Sequence, residues 1–369
     1  MAIIKTAMKN IKKGLFNNDC IIFQNYANST NFGNFVLETS KIMIHRIAYL
    51  CGTKAWGGLE MNQVRNAQWM KERGHTVVIF CIKNSPVYNA AILKNLSISI
   101  IKQHRHHYDF FNAFLLYKAL KDLKIEHLIF RATFDMSIAA SIRFLSRGRI
   151  KTHFFMEMAF VQNKRHFFRT WRYSFFDSWI CPLAYLKEQV LINSNFPEKK
   201  ILVIPSGIDL KEFKPTNKVE AREKLGLPNE RKIIGLIGRF ESKKGQMLAL
   251  EAIKYVTTDF LLLLVGKETL DKKSNYLSEL KHYIREQKLE DKVQFLNFTT
   301  SPADVYNAID WTLMASYSET FGMVTLESMA CGTPVIGSNT GGTKSLLEKG
   351  RLGVLFDPKN AQDLAEKIN

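Results

Sequence analysis

The chain has 369 residues, of which 46% are hydrophobic and 23% charged, which is typical of a globular protein with more than one domain. No apolar run reaches the roughly 20 residues of a membrane span. The cysteines are scattered without metal-site spacing and the N-terminus lacks a signal-peptide layout, so we expect reduced thiols in a cytoplasmic protein. The net charge is +18, with 29 Lys and Arg against 12 Asp and Glu in residues 1–200 and 23 against 22 in residues 201–369. This segregated positive charge indicates an anionic partner, and basicity that only aids solubility is the alternative.

Residues 1–40 differ in composition from the rest of the chain. Apolar residues recur at helical spacing between Ile4 and Leu15, with lysines among them, and the Asn-rich stretch NYANSTNFGN follows. The first pattern predicts a short basic amphipathic helix on a membrane surface, with a poorly ordered leader as the alternative, and the second predicts loop or disorder. We therefore treat residues 1–40 as an N-terminal extension, amphipathic or disordered.

From residue 45 onward, short apolar runs alternate with helical segments. The runs predicted as strands are HRIAYLC, HTVVIFCI, LSISII, EHLIFRA, KTHFFM, SWIC and ILVIP, and then RKIIGLIGRF, FLLLLVG, KVQFLNF, WTLMAS, TPVIGS and LGVLF. Such alternation predicts parallel sheets covered on both faces, with ligands bound at the carboxyl ends of the strands. The fold class is therefore α/β, with two doubly wound Rossmann-like domains facing each other across a cleft.

The segment PSGIDLKEFKP, with two prolines and a glycine, marks the start of the linker between the two domains. We predict the domains at residues 41–204 and 205–369. The final segment AQDLAEKIN predicts a helix that is cut short, which we interpret as truncation of the second domain.

The stretch LIGRFESKKG combines a strand end with two cations. Gly238 ends the strand, Arg239 follows at its carboxyl end, and Lys244 precedes a helix that begins near Gly245. Two fixed cations beside a helix N-terminus are suited to a diphosphate. A solvated charged loop is the alternative interpretation.

The stretch ETFGMVTLESMACGTPVIGS places two carboxylates in different elements. Glu319 falls in the loop after a strand, and Glu327 falls in a helix that starts near Met323. Gly322 allows the backbone N–H groups of Phe321, Gly322 and Met323 to approach a ligand closely. Carboxylates accept hydrogen bonds from vicinal hydroxyls, so Glu327 suits a ribose and Glu319 a sugar ring. A solvated surface position is the alternative, and the small apolar neighbours weigh against it.

These motifs resemble those of a known family. SYSETFGMVTLESMACGTPVIGS is similar to the E-x7-E signature of the retaining glycosyltransferases of family 4, which have the GT-B fold. GRFESKKG resembles that family's G-R-x-x-x-x-K-G element, and GLEMNQVRNAQWMKERGHTVVIF resembles its glycine-rich loop and first helix. VIPSGIDLKEFKP resembles its interdomain segment and NTGG its post-strand loop, so the likeness covers about residues 45–357.

The resemblance implies a metal-independent hexosyltransferase that needs no cofactor and takes a nucleotide diphosphate sugar as co-substrate. Catalytic roles are implied for Glu319 on the donor sugar and for Arg239 and Lys244 on the donor diphosphate. Donor binding is implied for a further set: Glu327 on the ribose, the backbone of Phe321, Gly322 and Met323, and Gly57 and Gly58 in a closing loop. Donor binding then falls mostly to the second domain and acceptor binding to the first.

The acceptor side is less defined by the sequence. His153 is predicted to follow a strand of the first domain, near where relatives place an active-site histidine, and Glu157 competes for that place. Arg131 and Thr133 in RATFD are further acceptor-site candidates. The cluster HRHHYD does not match a zinc pattern, so we predict an exposed, acceptor-facing loop there. After the GG loop, Thr343 to Ser345 lack the acidic residue of many relatives, which leaves the choice between uracil and guanine open.

Aromatic and cationic residues interleave in FLSRGRIKTHFF and NKRHFFRTWRYSFF. This pattern fits nucleic acid or a membrane surface, and beside a transferase site we favour an anionic membrane, on the inner face of the plasma membrane. The predicted function is transfer to a glycan, lipid-linked or phosphorylated acceptor in cell-surface polysaccharide or lipopolysaccharide synthesis. The alternatives are a non-catalytic polyanion-binding protein on the same fold, a phosphorylase, and a hydrolase-like use of the two glutamates.

Overall fold

The structure, a computed structural model, describes residues 44–107, 109–268, 275–297 and 301–369. These residues divide into two compact units, with the boundary between Ser206 and Gly207. The N-terminal extension predicted at residues 1–40 lies outside the described residues.

The first unit is built on a seven-stranded parallel sheet. Its strands are β1 Arg46–Cys51, β2 Thr76–Ile82, β3 Ser97–Ile101, β4 His127–Phe130, β5 Lys151–Phe155, β6 Ser178–Cys181 and β7 Ile201–Val203. Its helices are α1 Gly58–Glu72, α2 Pro86–Leu93, α3 Phe110–Asp122, α4 Met136–Leu145, α5 Phe167–Ser174 and α6 Ala184–Asn193. The strands read as almost continuous apolar runs because helices bury both faces of a parallel sheet.

The strand order of this sheet is β3-β2-β1-β4-β5-β6-β7. Ile47 of β1 pairs with Val77 of β2 on one side and with His127 of β4 on the other. The direction of winding therefore reverses between β1 and β4, and the two faces carry separate cores. One core contains Val64 and Val87 of α1 and α2, and the other contains residues of α3 to α6, such as Leu116 and Leu186.

The second unit has a six-stranded parallel sheet of order β10-β9-β8-β11-β12-β13. Its strands are β8 Ile233–Ile237, β9 Leu261–Gly266, β10 Val293–Asn297, β11 Trp311–Met314, β12 Val335–Ser338 and β13 Val354–Phe356. Its helices are α7 Lys218–Leu225, α8 Gln246–Ala252, α9 Tyr276–Glu286, α10 Pro302–Ala308, α11 Met323–Ala330, α12 Gly341–Leu346 and α13 Ala361–Ile368. The winding reverses between β8 and β11, which is where ligands bind in sheets of this kind.

All thirteen apolar runs that the sequence predicted as strands are strands, so the doubly wound α/β prediction is confirmed for both units. Within the part of the chain that the structure describes, no helix combines the length and the apolar character needed to span a membrane. The four cysteines described, Cys51, Cys81, Cys181 and Cys331, are buried free thiols.

Candidate active site

Two loops meet at the switch point of the second sheet. Trp311 of β11 pairs with Ile234 of β8, so the loops that follow these strands leave the sheet side by side. The first loop ends at Gly245, which has φ +77° and lies so close to Ala315 that a Cβ would clash with the Ala315 carbonyl oxygen. The N–H of Tyr317 donates to the carbonyl oxygen of Lys243 at 3.0 Å, which joins the second loop to the first.

The two loops bring together the cation and the carboxylate that the sequence predicted separately. Lys244 Nζ lies 2.8 Å from Glu319 Oε2, with 27% and 18% of the two side chains exposed. Arg239 is more exposed, at 55% of its side chain, and lies 3.3 Å from Glu241 through Nη1 and Oε1. A half-buried ion pair therefore joins the two loops at the carboxyl edge of the sheet, and Arg239 adds a second, more exposed cation on the first loop.

Backbone geometry and close contacts explain why glycine occupies two positions in this region. Gly322 has φ +90° and directly precedes helix α11, which begins at Met323 as predicted, while Phe321 is buried. Gly341 has φ +52°, and a Cβ on it would clash with the carbonyl oxygen of Glu319. The N–H of Gly342 donates to that same carbonyl at 2.7 Å. The NTGG loop therefore fixes the backbone of Glu319, while the N–H groups at the start of α11 offer a favourable environment to an anion.

Glu327 lies in the second turn of α11, away from Lys244 and with a different partner. Tyr306 of α10 donates from its hydroxyl to Glu327 Oε2 at 2.7 Å. Tyr306 is fully buried, and burial followed by the nearby Glu327 carboxylate raises the pKa of its phenol well above the usual range. Tyr306 was not predicted from the sequence, because no local pattern in ADVYNA connects it with a helix that begins seventeen residues later.

A buried hydroxyl also points to this region. Thr325 Oγ1, in the first turn of α11, has no hydrogen-bond partner among the described residues. This oxygen lies close to the backbone of Gly322: a Cβ on Gly322 would be 3.4 Å from it. Thr325 is fully buried, so this hydroxyl lies beneath the start of α11 and not on its accessible surface.

The glycine pair of the first unit lies at the start of α1. Gly57 is extended, and its N–H donates to Glu60 Oε2 at 2.9 Å, which caps the helix. Burial raises the pKa of Glu60. Gly58 is the first helical residue, and a Cβ there would meet no atom within 4 Å. The local packing therefore does not require glycine at 58, and the role of the pair in loop closure stays a prediction.

His153 is not where the sequence placed it. It is the third residue of β5 rather than a residue after the strand, so the predicted position is wrong. Its Nδ1 lies 2.8 Å from Ser178 Oγ and its Nε2 lies 2.9 Å from His127 Nδ1, across the two neighbouring strands. Burial, followed by the charge of His127, lowers the pKa of His153 to about 4. The strand begins two residues before the histidine, at an exposed lysine that the sequence analysis did not separate from the flanking loop.

Glu157 lies after β5, where His153 was predicted, and forms an ion pair with Arg131, another acceptor-site candidate. Arg131 follows β4, is 1% exposed, and lies 2.5 Å from Glu157 through Nη1 and Oε1. Glu157 also accepts from Asn62 Nδ2 and Ser206 Oγ, both at 3.0 Å. Thr133 lies in the short 3-10 helix Thr133–Asp135 and is exposed. Arg131 is thus a buried member of a polar network, and Thr133 is the more accessible of the two candidates.

The HRHHYD segment divides into buried and exposed histidines. His104 is 3% exposed and its Nε2 lies 2.9 Å from Oδ1 of the fully buried Asp135, so the predicted exposure is wrong for this residue. His106 and His107 are exposed, as predicted. Across the described residues, no cluster of His, Cys, Asp and Glu has a geometry that holds a metal ion.

Comparison with known proteins gives consistent matches for both units. A model described as Glycosyltransferase Family 4 matches residues 56–212, and one described as Glycosyl transferases group 1 matches residues 217–369. A D-inositol 3-phosphate glycosyltransferase of Corynebacterium jeikeium is 31% identical over 180 residues, which cover 46% of this chain and 42% of that protein. The chain therefore matches less than half the length of this curated relative.

Solved structures match over most of the chain. HepE of Anabaena, in complex with UDP and glucose, has a TM-score of 0.75 and 20% identity, over 88% of this chain and 89% of its own. A glycosyltransferase from Rickettsia africae has a TM-score of 0.78 and 22% identity, over 88% of this chain and 87% of its own. At these identities the likeness establishes the fold.

Proposed function

Because the chain belongs to the family 4 glycosyltransferases and has the GT-B fold, we propose that it transfers a sugar from a nucleotide diphosphate sugar with retention of configuration. The observation that carries this proposal is the ion pair of Lys244 and Glu319, at 2.8 Å, at the switch point of the second sheet. A cation and a carboxylate held side by side match the two chemically different halves of such a donor, its diphosphate and its sugar hydroxyls.

In this proposal the donor diphosphate displaces the carboxylate from the lysine. Lys244 and Arg239 bind the phosphates, and the N–H groups at the start of α11 add partial positive charge. Glu319, already fixed through its backbone by Gly342, accepts hydrogen bonds from the donor sugar. As the bond to the sugar breaks, negative charge grows on the β-phosphate, and the two cations stabilise it where other enzymes use a metal. Metal independence is therefore part of the proposal.

The ribose is assigned to Glu327. Tyr306 holds Oε2 of this carboxylate at 2.7 Å, which orients Oε1. A carboxylate fixed in this way is preorganised to accept from a vicinal diol, so little conformational entropy is lost on binding. A hydrolase-like use of Glu319 and Glu327 gives Lys244 and Arg239 no role, and we do not favour it.

The acceptor is assigned to the first unit, because the half of the sequence that contains it, residues 1–200, carries a net charge of +17. This charge supports an acceptor that is lipid-linked or phosphorylated, and a cytoplasmic site at an anionic membrane, in polysaccharide or lipopolysaccharide synthesis. The curated relative is named for D-inositol 3-phosphate, so a phosphorylated polyol belongs in the acceptor panel.

The test is a thermal-shift screen of nucleotide diphosphate sugars, including UDP-glucose and GDP-mannose, followed by transfer assays with and without EDTA. A ligand at about 100 times its Kd stabilises the folded state by about 2.7 kcal/mol, which corresponds to a shift of several degrees. We expect Lys244→Ala and Glu319→Ala to abolish the shift and the transfer. Lys243→Ala is the matched control, because Lys243 is the exposed neighbour in the same 3-10 helix.

Two outcomes would contradict the proposal. The first is a melting temperature that no nucleotide sugar and no free nucleotide raises. The second is salt-sensitive binding of RNA or DNA without any nucleotide-sugar affinity, which would support the polyanion-binding alternative. Transfer from a sugar 1-phosphate, with release of inorganic phosphate, would instead identify a phosphorylase.

A further inference from the structure

Three helices of the first unit cover the same face of its sheet. Helices α3, α4 and α5 contribute Leu116, Ile138 and Tyr173 to one continuous core, on the face opposite to α1 and α2. Arg172 of α5 donates from Nη1 to Ser137 Oγ of α4 at 3.1 Å, which ties these two helices together. Because α3 and α5 each follow the carboxyl end of a parallel strand, their first turns lie at the same edge of the sheet.

The outer surface of these helices is unusually aromatic. Six large side chains project from the first two turns of α3 and α5: Phe110, Phe111, Phe114, Phe167, Phe168 and Trp171. Phe111 and Phe167 are each 72% exposed. Among all the residues that the structure describes, every exposed phenylalanine lies on α3, α4 or α5. We call these six side chains the aromatic face; such a concentration of exposed apolar surface marks an interaction site.

The aromatic face is bordered by positive charge. The segment from residue 158 to residue 176 contains Lys164, Arg165, Arg169 and Arg172 and no acidic residue. Arg165 and Arg169 are exposed beside Phe167 and Phe168. The pKa of His106 is lowered by burial first, then by His107 and then by the charge of Arg172. The positive charge of α5 therefore reaches the segment before α3.

We propose that the aromatic face and its arginines bind an anionic lipid bilayer. Aromatic rings partition into the interface of a bilayer, and cationic side chains bind the anionic headgroups beside them. Aromatic rings can also stack on the bases of a nucleic acid, but exposed aliphatic side chains beside them do not stack on bases. Here Leu115, which follows Phe114 in α3, is 44% exposed, and Val161 in the segment before α5 is 70% exposed, which favours a hydrocarbon environment.

This binding places the carboxyl edge of the first sheet at the membrane. Thr133 and Arg131 follow β4 at that edge, as α3 and α5 begin there. The consequence for a lipid-linked acceptor rests on the proposed function, but membrane binding itself does not depend on it.

The experiment is flotation of the full chain with vesicles of phosphatidylcholine alone or with added phosphatidylglycerol. We expect binding to the anionic vesicles, weakened by about tenfold in Phe167→Ser/Phe168→Ser and losing its lipid preference in Arg165→Glu/Arg169→Glu. Matched controls change exposed residues at the carboxyl ends of α1 and α2, on the opposite face: Ile92→Ser/Leu93→Ser, of which Leu93 is 84% exposed, and Arg73→Glu/Lys94→Glu. The proposal would be overturned if Phe167→Ser/Phe168→Ser and Arg165→Glu/Arg169→Glu both bound the anionic vesicles as tightly as wild type.

A spectroscopic readout localises the contact. Brominated lipids quench tryptophans that enter the bilayer, so we expect quenching that falls in Trp171→Phe and persists in Trp69→Phe, because Trp69 lies near the carboxyl end of α1 on the opposite face. Tight binding of single-stranded RNA with no vesicle binding would also overturn the proposal, in favour of nucleic acid. Donor-induced thermal shifts should be unchanged in the aromatic-face variants, so a failed membrane test and a failed transferase test give different results.

Discussion

Acidification should destabilise the first unit through His153. This residue contacts His127 and Ser178 inside the sheet, and burial lowers its pKa from 6.5 to about 4. Neighbouring charges act on it as well: Lys151 and Arg143 lower its pKa and Asp177 raises it. Burial also lowers the pKa of His127. Because ring nitrogens of His127 and His153 lie 2.9 Å apart, the two rings titrate as a coupled pair.

The sign of the effect follows from proton binding. Between pH 6.5 and about 4 the unfolded chain protonates this histidine and the folded chain does not. Stability from the neutral ring is therefore complete above pH 6.5, falls as the pH drops toward 4, and changes no further below it. A depression of 2.5 pH units corresponds to about 3 kcal/mol in full, of which about 2 kcal/mol is lost by about pH 5.

The assay compares urea unfolding of wild type and His153→Gln at about pH 7.5 and about pH 5, followed by tryptophan fluorescence. The variant should be less stable at the higher pH, but should lose about 2 kcal/mol less than wild type on acidification, because it lacks the titrating ring. His282→Gln, an exposed site in the other unit, is the control and should keep the wild-type slope. Equal losses in wild type and His153→Gln would refute the reasoning.

Three further predictions concern the second unit. Tyr306→Phe removes the hydrogen bond to Glu327 and should weaken nucleotide binding by about tenfold in calorimetry, and it should lower the unfolding free energy by about 2 kcal/mol because the acceptor is charged. Gly341→Ala should lower the melting temperature and abolish the donor-induced shift, because its Cβ clashes with the Glu319 carbonyl; Gly226→Ala, at φ +64° in open space, should lower the melting temperature less and keep the shift. EDTA should leave the transfer rate unchanged. If EDTA abolished transfer and added Mg²⁺ or Mn²⁺ restored it, Lys244 and Arg239 alone would not stabilise the charge on the β-phosphate.

Local sequence determined the elements of this protein and the position of the site along the chain. Buried parallel strands need continuous apolar runs, so each of the thirteen strands was visible as such a run. Glu319 was predicted in the loop after a strand and Glu327 in a helix that starts near Met323, and the structure has both residues there. The family motifs then predicted a donor site in the second half of the chain.

Only the tertiary structure decided which of these residues meet. Lys244 and Glu319 are 75 residues apart and form an ion pair because β8 lies next to β11, a strand order that no local pattern records. Tyr306 reaches Glu327 because α10 and α11, the helices before and after β11, pack against each other. His153 lies beside His127 because β5 pairs with β4. Periodicity fixes which side of a helix or strand is apolar, but the partner of a polar side chain depends on the packing of distant elements.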